Sequence, residues 1–259
     1  MNNCDLRDLT LAGVQWELTD VPFILSVPNP NNTPHPTPDD NASAYSGIRT
    51  RTQTSIVPPI APTQSMSVAT ANAMAARPID MDSLNRMIAE FNHPLRGGAT
   101  NVILPHVAQN PNGMVIITDI PSGDDDACGK ILTGAAGELL DKMLAAIKMS
   151  RDSVSVVPLI FWRTPGGRAP SRDELDLARP FVNRALELLR PRLILTLGTL
   201  AASEIGGVSL PRAHGTITEL PGGTQMMPIF HPNYLLLKPT AKRDAWNALQ
   251  TVEKLLKTA

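Results

Sequence analysis

From about Asp82 to the C-terminus, apolar positions follow two alternating periods. Leu84, Met87, Ile88 and Phe91 follow Asp82-Ser83 at the spacing of a helix's buried stripe. In GAAGELLDKMLAAI, the residues Leu139, Leu140, Met143, Leu144 and Ile147 share one face. Ser171 with Glu174 three residues on is a capping-box pair, predicting a helix through Leu189 that Pro180 should kink or break. A last helix is predicted from about Ala241, with Trp246, Leu249, Val252 and Leu256 on one side. Between these helices lie four short runs without polar alternation: MVIIT (114–118), SVSVVPLI (153–160), LILTLG (193–198) and MMPIF (226–230). Apolar, β-rich runs of this length bounded by turn residues read as strands buried on both faces.

Strands alternating with helices imply right-handed βαβ units. The predicted fold class is α/β: a three-layer α/β/α domain with a central four-stranded, mostly parallel sheet, spanning 79–259. In such sheets ligands bind outside the carboxyl ends of the strands. That rule selects Asp119 to Asp126, Phe161 to Arg168, Gly198-Thr199 and His231 to Lys238.

The front of the chain lacks both periods. Residues 28–78 hold 9 prolines among Asn, Thr, Ser, Ala and Gln, with no sustained period, so they are predicted to form a disordered linker that buries too little apolar surface to offset its ordering entropy. Within 1–27, Leu9, Leu11, Val14, Trp16, Leu18 and Phe23 suffice for a short amphipathic helix. Residues 1–78 are a candidate attachment segment for a protein partner.

Composition sharpens this picture at two points. The net charge of −1 over 259 residues is a cancellation: residues 1–130 carry 7 Lys+Arg against 13 Asp+Glu, and residues 131–259 carry 16 against 11. The basic half favours an anionic partner. No stretch approaches the length of a membrane span and the N-terminus MNNCDLRDLT does not read as a secretory signal, so a cytoplasmic location is expected. Cys4 and Cys128 are too few for a disulfide framework and lack metal-site spacing.

His231 follows a strand and precedes Pro232, which aims its imidazole at the ligand edge. It either donates a hydrogen bond to charge developing on a leaving group or is satisfied by a backbone carbonyl. Asp119, at another strand end, is placed to orient a water molecule. The loop residues Asp124, Asp125 and Asp126 read as a solvated turn or a helix cap rather than a metal site. WRTPGGRAP supplies Arg163 and Arg168, and Arg212, His214 and Lys238 add positive charge in later loops.

The order MVIITDIPSGDDDACGK, GAAGELLDKMLAAI, WRTPGGRAP, RPFVNRALELLRPRLILTLGTLAA and HPNYLLLKPTAKRDAW resembles the family 4 uracil-DNA glycosylases, over roughly residues 82–259. The resemblance implies a flipped uracil held in a pocket, an acidic residue that positions water and a histidine that stabilises the departing base. It assigns Asp119 and His231 as catalytic. The family's GEAPG falls on Thr118-Asp119-Ile120-Pro121-Ser122, which loses glycine at Thr118 and Ser122. The stacking aromatic falls on Leu132, the uracil-reading asparagine on Pro158, and the second asparagine of WRPPGNR on Gly167. Gly198, His231, Pro232, Tyr234, Leu235 and Leu236 match. The implied pocket is therefore Thr118, Pro121, Ser122, Leu132, Pro158 and Gly198, and the implied DNA contacts are Arg163, Arg168, Arg212, His214, Tyr234, Leu235 and Lys238. Where the family's iron-sulfur cysteines would stand, the chain has His93, Trp162 and Arg179, so no cofactor or resident metal is expected. DNA, single- or double-stranded, is the implied partner of an expected monomer.

Two functions follow from this reading. One is an active glycosylase with weak or shifted base specificity. The other keeps the fold and the DNA-facing loops without robust uracil excision, and losing the edge-reading asparagine favours it, because sites built on a buried hydrogen-bond pair discriminate by orders of magnitude.

Overall fold

The computed structural model describes residues 67–258. The expected N-terminal helix within 1–27, and the expected linker up to residue 66, lie outside the described residues. The end of that linker is a helix instead. α1 (Val68–Ala75) is capped by Ser67, whose side chain accepts from Thr70 N–H, and it buries Ala71 and Ala75. Spaced four apart, these two alanines let the backbone approach the domain closely without a large apolar stripe.

α2 (Met81–Glu90) starts from a capping box between Asp80 and Ser83 and buries Leu84 and Ile88. β1 (Met114–Thr118) leads into α3 (Gly123–Cys128) and α4 (Gly134–Ala146), followed by β2 (Ser155–Pro158). α5 (Arg172–Leu189) opens at the predicted Ser171/Glu174 capping box but runs unbroken through Pro180. Its buried side, Leu175, Leu177, Ala178, Phe181, Val182 and Ala185, brackets the proline and holds the axis by packing. β3 (Leu193–Leu197), α6 (Thr199–Gly206), β4 (Thr218–Glu219), β5 (Gln225–Ile229), α7 (Pro232–Leu237) and α8 (Lys242–Thr258) complete the order.

The sheet has five strands in the order β2-β1-β3-β5-β4, one more than expected. β2, β1, β3 and β5 run parallel, and β4 is a two-residue antiparallel edge. Alternate residues of β1 serve two cores. Val115 and Ile117 join the cluster with α1, α2 and α5, and Met114 and Ile116 join the cluster with α4 and α8. That two-sided burial explains the absence of polar alternation. The chain leaves β1 toward β2 on one side and returns to β3 on the other, which makes the β1/β3 carboxyl ends the switch point where open α/β sheets hold ligands.

Candidate functional site

Asp119 leaves the end of β1 and turns across the switch point. Its carboxylate accepts from Ala201 N–H at 2.6 Å and from Leu200 N–H, both in the first turn of α6. The approach is possible because residue 198 is glycine: it has φ 101, and a Cβ there would overlap the Asp119 carboxylate. Burial pushes the Asp119 carboxyl up to about 6, with the two N–H donors opposing. It is therefore ionised at neutral pH but close to its titration range.

His231 caps α7, and its Nδ1 accepts the Asn233 N–H at 3.2 Å. The other ring nitrogen, Nε2, lies 3.1 Å from Thr118 Oγ1. Because Nδ1 is used as an acceptor, the neutral ring carries its proton on Nε2 and donates it to the Thr118 hydroxyl. Burial pushes His231 down to about 4, with the Asp125 charge opposing, so the imidazole is neutral at pH 7.

Beside these two residues is an open cavity of about 460 Å³, lined by Asp119, Ile120, Gly198, Thr199, Phe230, His231, Asn233 and Tyr234 together with Leu210, Pro211 and Leu237. Its size suits a nucleobase with part of its sugar. An aromatic row backs it: His214 stacks on Phe230 at 4.2 Å and Phe230 meets Tyr234 at 4.7 Å. Lys238 Nζ lies 5.5 Å from the Tyr234 ring centroid.

The structure brings Asp119, Gly198, His231 and Tyr234 together at this cavity. The remaining expected pocket residues do not reach it. Thr118 is 2% exposed and faces His231. Leu132 is 4% exposed and belongs to the α4 core at φ 51. Pro158 is buried in β2 opposite Thr118, and Pro121 is also buried. Ser122 caps α3, its hydroxyl accepting from Asp125 N–H.

Several expected DNA contacts are also placed differently. Leu235 is 1% exposed in the core between α4 and α8, whereas the next residues, Leu236 and Leu237, are exposed. His214 accepts the Phe230 N–H on Nδ1, and its Nε2 is buried, so it supports the cavity wall rather than meeting a phosphate. Arg168 makes a bidentate pair with Glu174 at 2.6 and 2.8 Å, which occupies the guanidinium and pushes Glu174 down to about 2. Arg163 lies over Gly123 at the start of α3. Arg212 and Lys238 are exposed and follow the cavity-lining residues Pro211 and Leu237 in the chain. The aspartate run takes the second of its two expected roles and caps a helix: all three lie in the first turn of α3, where Asp125 accepts from Ser122 N–H and Thr133, Asp126 accepts from Thr100 and Asn101 N–H, and Asp124 is exposed. Of the four strand-end segments, the one after β2 does not line the cavity: Phe161 and Trp162 are buried in the core, and Pro165 to Arg168 are exposed. Of the cavity residues, Thr199 and Leu237 fall inside segments that the strand-end rule selects, whereas Phe230 reads as the end of its strand and Leu210 and Pro211 lie in a loop that the rule does not reach.

Residues 105–250 match the model of the uracil DNA glycosylase superfamily. The chain belongs to that superfamily. It is 28% identical over 177 residues to the type-4 uracil-DNA glycosylase of Archaeoglobus fulgidus, covering 63% of this chain and 88% of that protein. It is 30% identical over 146 residues to the type-4 uracil-DNA glycosylase of Thermotoga maritima, covering 55% and 76%. The same-named enzyme of Pyrobaculum aerophilum is 25% identical over 178 residues, covering 64% and 89%.

The family 4 resemblance implies an iron-sulfur cluster, and the residues at its expected positions bear on whether one fits. His93 stacks on Trp162 at 4.6 Å and 6°, donates from Nε2 to the Glu174 carbonyl and accepts Leu95 N–H on Nδ1. Arg179 pairs with Glu204 and Asp176. An arginine, an indole and a histidine with both nitrogens engaged cannot supply thiolate ligands. These residues do not fit a cluster: His93 and Trp162 pack with Phe91, Phe161 and Phe181 as an aromatic core. Among the described residues no group of three or more His, Cys, Asp or Glu is placed to hold a metal ion, and no helix is long and apolar enough to cross a membrane.

Proposed function

We propose that this protein is a DNA-binding superfamily member, related to base-excision repair, whose uracil pocket is closed and whose uracil excision is weak or lost. The observation that carries this reading is the burial of Thr118, Leu132 and Pro158 away from the cavity. A uracil-reading site needs a hydrogen-bonding edge and an aromatic face at these positions, and a proline and a leucine packed in the core provide neither. In this reading Arg163, Arg212 and Lys238 meet DNA phosphates, and a base stacks or packs on Tyr234 and Leu237, both of which line the cavity. In this reading the protein works as a cytoplasmic monomer without a cofactor, and residues 1–78 are open to a protein partner.

A second reading keeps glycosylase chemistry on a different base. The observation favouring it is that Asp119 and His231 border one cavity of about 460 Å³. Excision there would break the C1′–N bond, with the bonding pair leaving on the base toward a hydrogen-bond donor. Water would add at C1′, passing its proton to the Asp119 carboxylate, and the base anion would take up a proton on release. Single-turnover assays with protein in excess decide between the two, using uracil, hypoxanthine and xanthine in single- and double-stranded DNA. The first reading expects salt-sensitive DNA retention with little product. Excision abolished by Asp119→Ala and by His231→Ala would establish the second.

A further inference from the structure

The Thr118 contact goes further than filling space. We infer that Thr118 is a positioning residue that withholds the His231 N–H from the cavity by accepting it, holding the imidazole in a parked state. This rests on the closed-pocket reading and specifies how the histidine in that site is silenced.

Three observations converge on it. The Asn233 N–H donates to Nδ1 at 3.2 Å, so the ring proton is confined to Nε2. Nε2 has Thr118 Oγ1 at 3.1 Å, and Thr118 is 2% exposed at the end of a five-residue strand buried throughout. The acceptor is therefore fixed by the sheet and cannot swing aside with a surface loop. The imidazole is neutral at pH 7 because burial pushes it down to about 4, so there is no second N–H to offer. A cavity ligand that needs a donor from His231 must first break a buried hydrogen bond and leave the threonine hydroxyl with one partner fewer.

The position immediately before Asp119 thus controls the neighbouring histidine across 113 residues of sequence. A side chain without an acceptor there leaves Nε2–H with the cavity as its outlet. Loss of a single preorganised donor of this kind costs roughly 10²–10³ in rate where it has been measured in acyl-transfer sites, so the parked state is sufficient to suppress a reaction that depends on it.

The test is proton exchange at His231 Nε2 in the full chain, followed by long-range ¹H–¹⁵N spectra and assigned by its loss in His231→Gln. Thr118→Val keeps the volume and removes the acceptor; Thr118→Ser keeps the acceptor. The inference predicts a slowly exchanging Nε2 proton in the wild type, exchange roughly tenfold or more faster in Thr118→Val, and recovery in Thr118→Ser. It also predicts single-turnover uracil excision roughly tenfold or more above wild type in Thr118→Val but not in Thr118→Ser, the conservative end of the effect of one donor. Equal exchange rates in wild type and Thr118→Val would overturn the inference, as would an Nδ1-protonated ring in the wild type. Fast uracil excision by the wild type would instead overturn the closed-pocket reading, whatever the spectra show.

Discussion

Replacing Asp119 with asparagine should stabilise the protein above neutral pH and stop doing so in acid. The folded carboxyl titrates at about 6 against an ordinary 3.8, raised chiefly by burial. A raised carboxyl pKa contributes stability that is fully present below 3.8 and is lost as pH rises through 6. At about 1.36 kcal/mol per pH unit, the wild type at pH 8 carries a penalty of about 3 kcal/mol that an uncharged side chain avoids. The asparagine Oδ1 can still accept from Ala201 N–H, but it has one oxygen fewer for the first turn of α6, at a cost of about 1 kcal/mol. The net gain at pH 8 is about 2 kcal/mol, or roughly 4–8 °C in Tm for a domain of this size. At pH 4 only about 0.5 kcal/mol of the charge penalty remains, and the variant should be equal to wild type or up to about 1 kcal/mol less stable. Urea denaturation of both proteins at pH 8, 6 and 4 measures the difference directly. A gap that does not change with pH, or a variant less stable at pH 8, would refute the argument that burial holds this carboxylate at an energetic cost.

Four other outcomes follow from the same geometry. Gly198→Ala forces an L-residue to φ 101 and drives Cβ into the Asp119 carboxylate, which should destabilise the fold by about 3 kcal/mol or more in a denaturant titration. His231→Gln should remove an acid-sensitive component: a histidine depressed from 6.5 to about 4 holds stability above 6.5 that is lost as pH falls toward 4, worth about 3 kcal/mol in the wild type. The slope of stability against pH in that window should flatten in the variant. Arg163→Ala with Lys238→Ala should lower the salt slope of DNA binding by about 2. Arg168→Ala should leave that slope unchanged and lower the denaturation midpoint instead, since its guanidinium is committed to Glu174.

The layers, the parallel sheet and the main strands were legible because each strand buries both faces and so shows an unbroken apolar run. The helices announced themselves through caps such as Ser171/Glu174. What escaped the pattern was set by contacts distant in sequence or by elements too short for a period. β4 is two residues long and is defined by its partner β5. α1 lies in a Pro- and Ala-rich stretch and docks through Ala71 and Ala75, residues that carry little hydrophobic signal. Pro180 argued for a break that packing on both sides of it overrides.

The candidate site divides in the same way. Asp119, Gly198 and His231 were legible because the strand-end rule locates them. Leu235 was misplaced because three consecutive leucines on the six-residue α7 do not reveal which one faces inward. The engagement of Arg168 by Glu174 and of His231 by Thr118 depends on side-chain placement, 113 residues apart in the second case.

The most direct test of the central claim is single-turnover excision from uracil-containing single-stranded DNA, with wild-type protein in excess at pH 7.5. With Thr118, Leu132 and Pro158 packed away from the cavity, the account predicts DNA retained at low salt and little or no free uracil over the time needed for complete binding. Rapid, complete release of uracil, lost in both Asp119→Ala and His231→Ala, would contradict it.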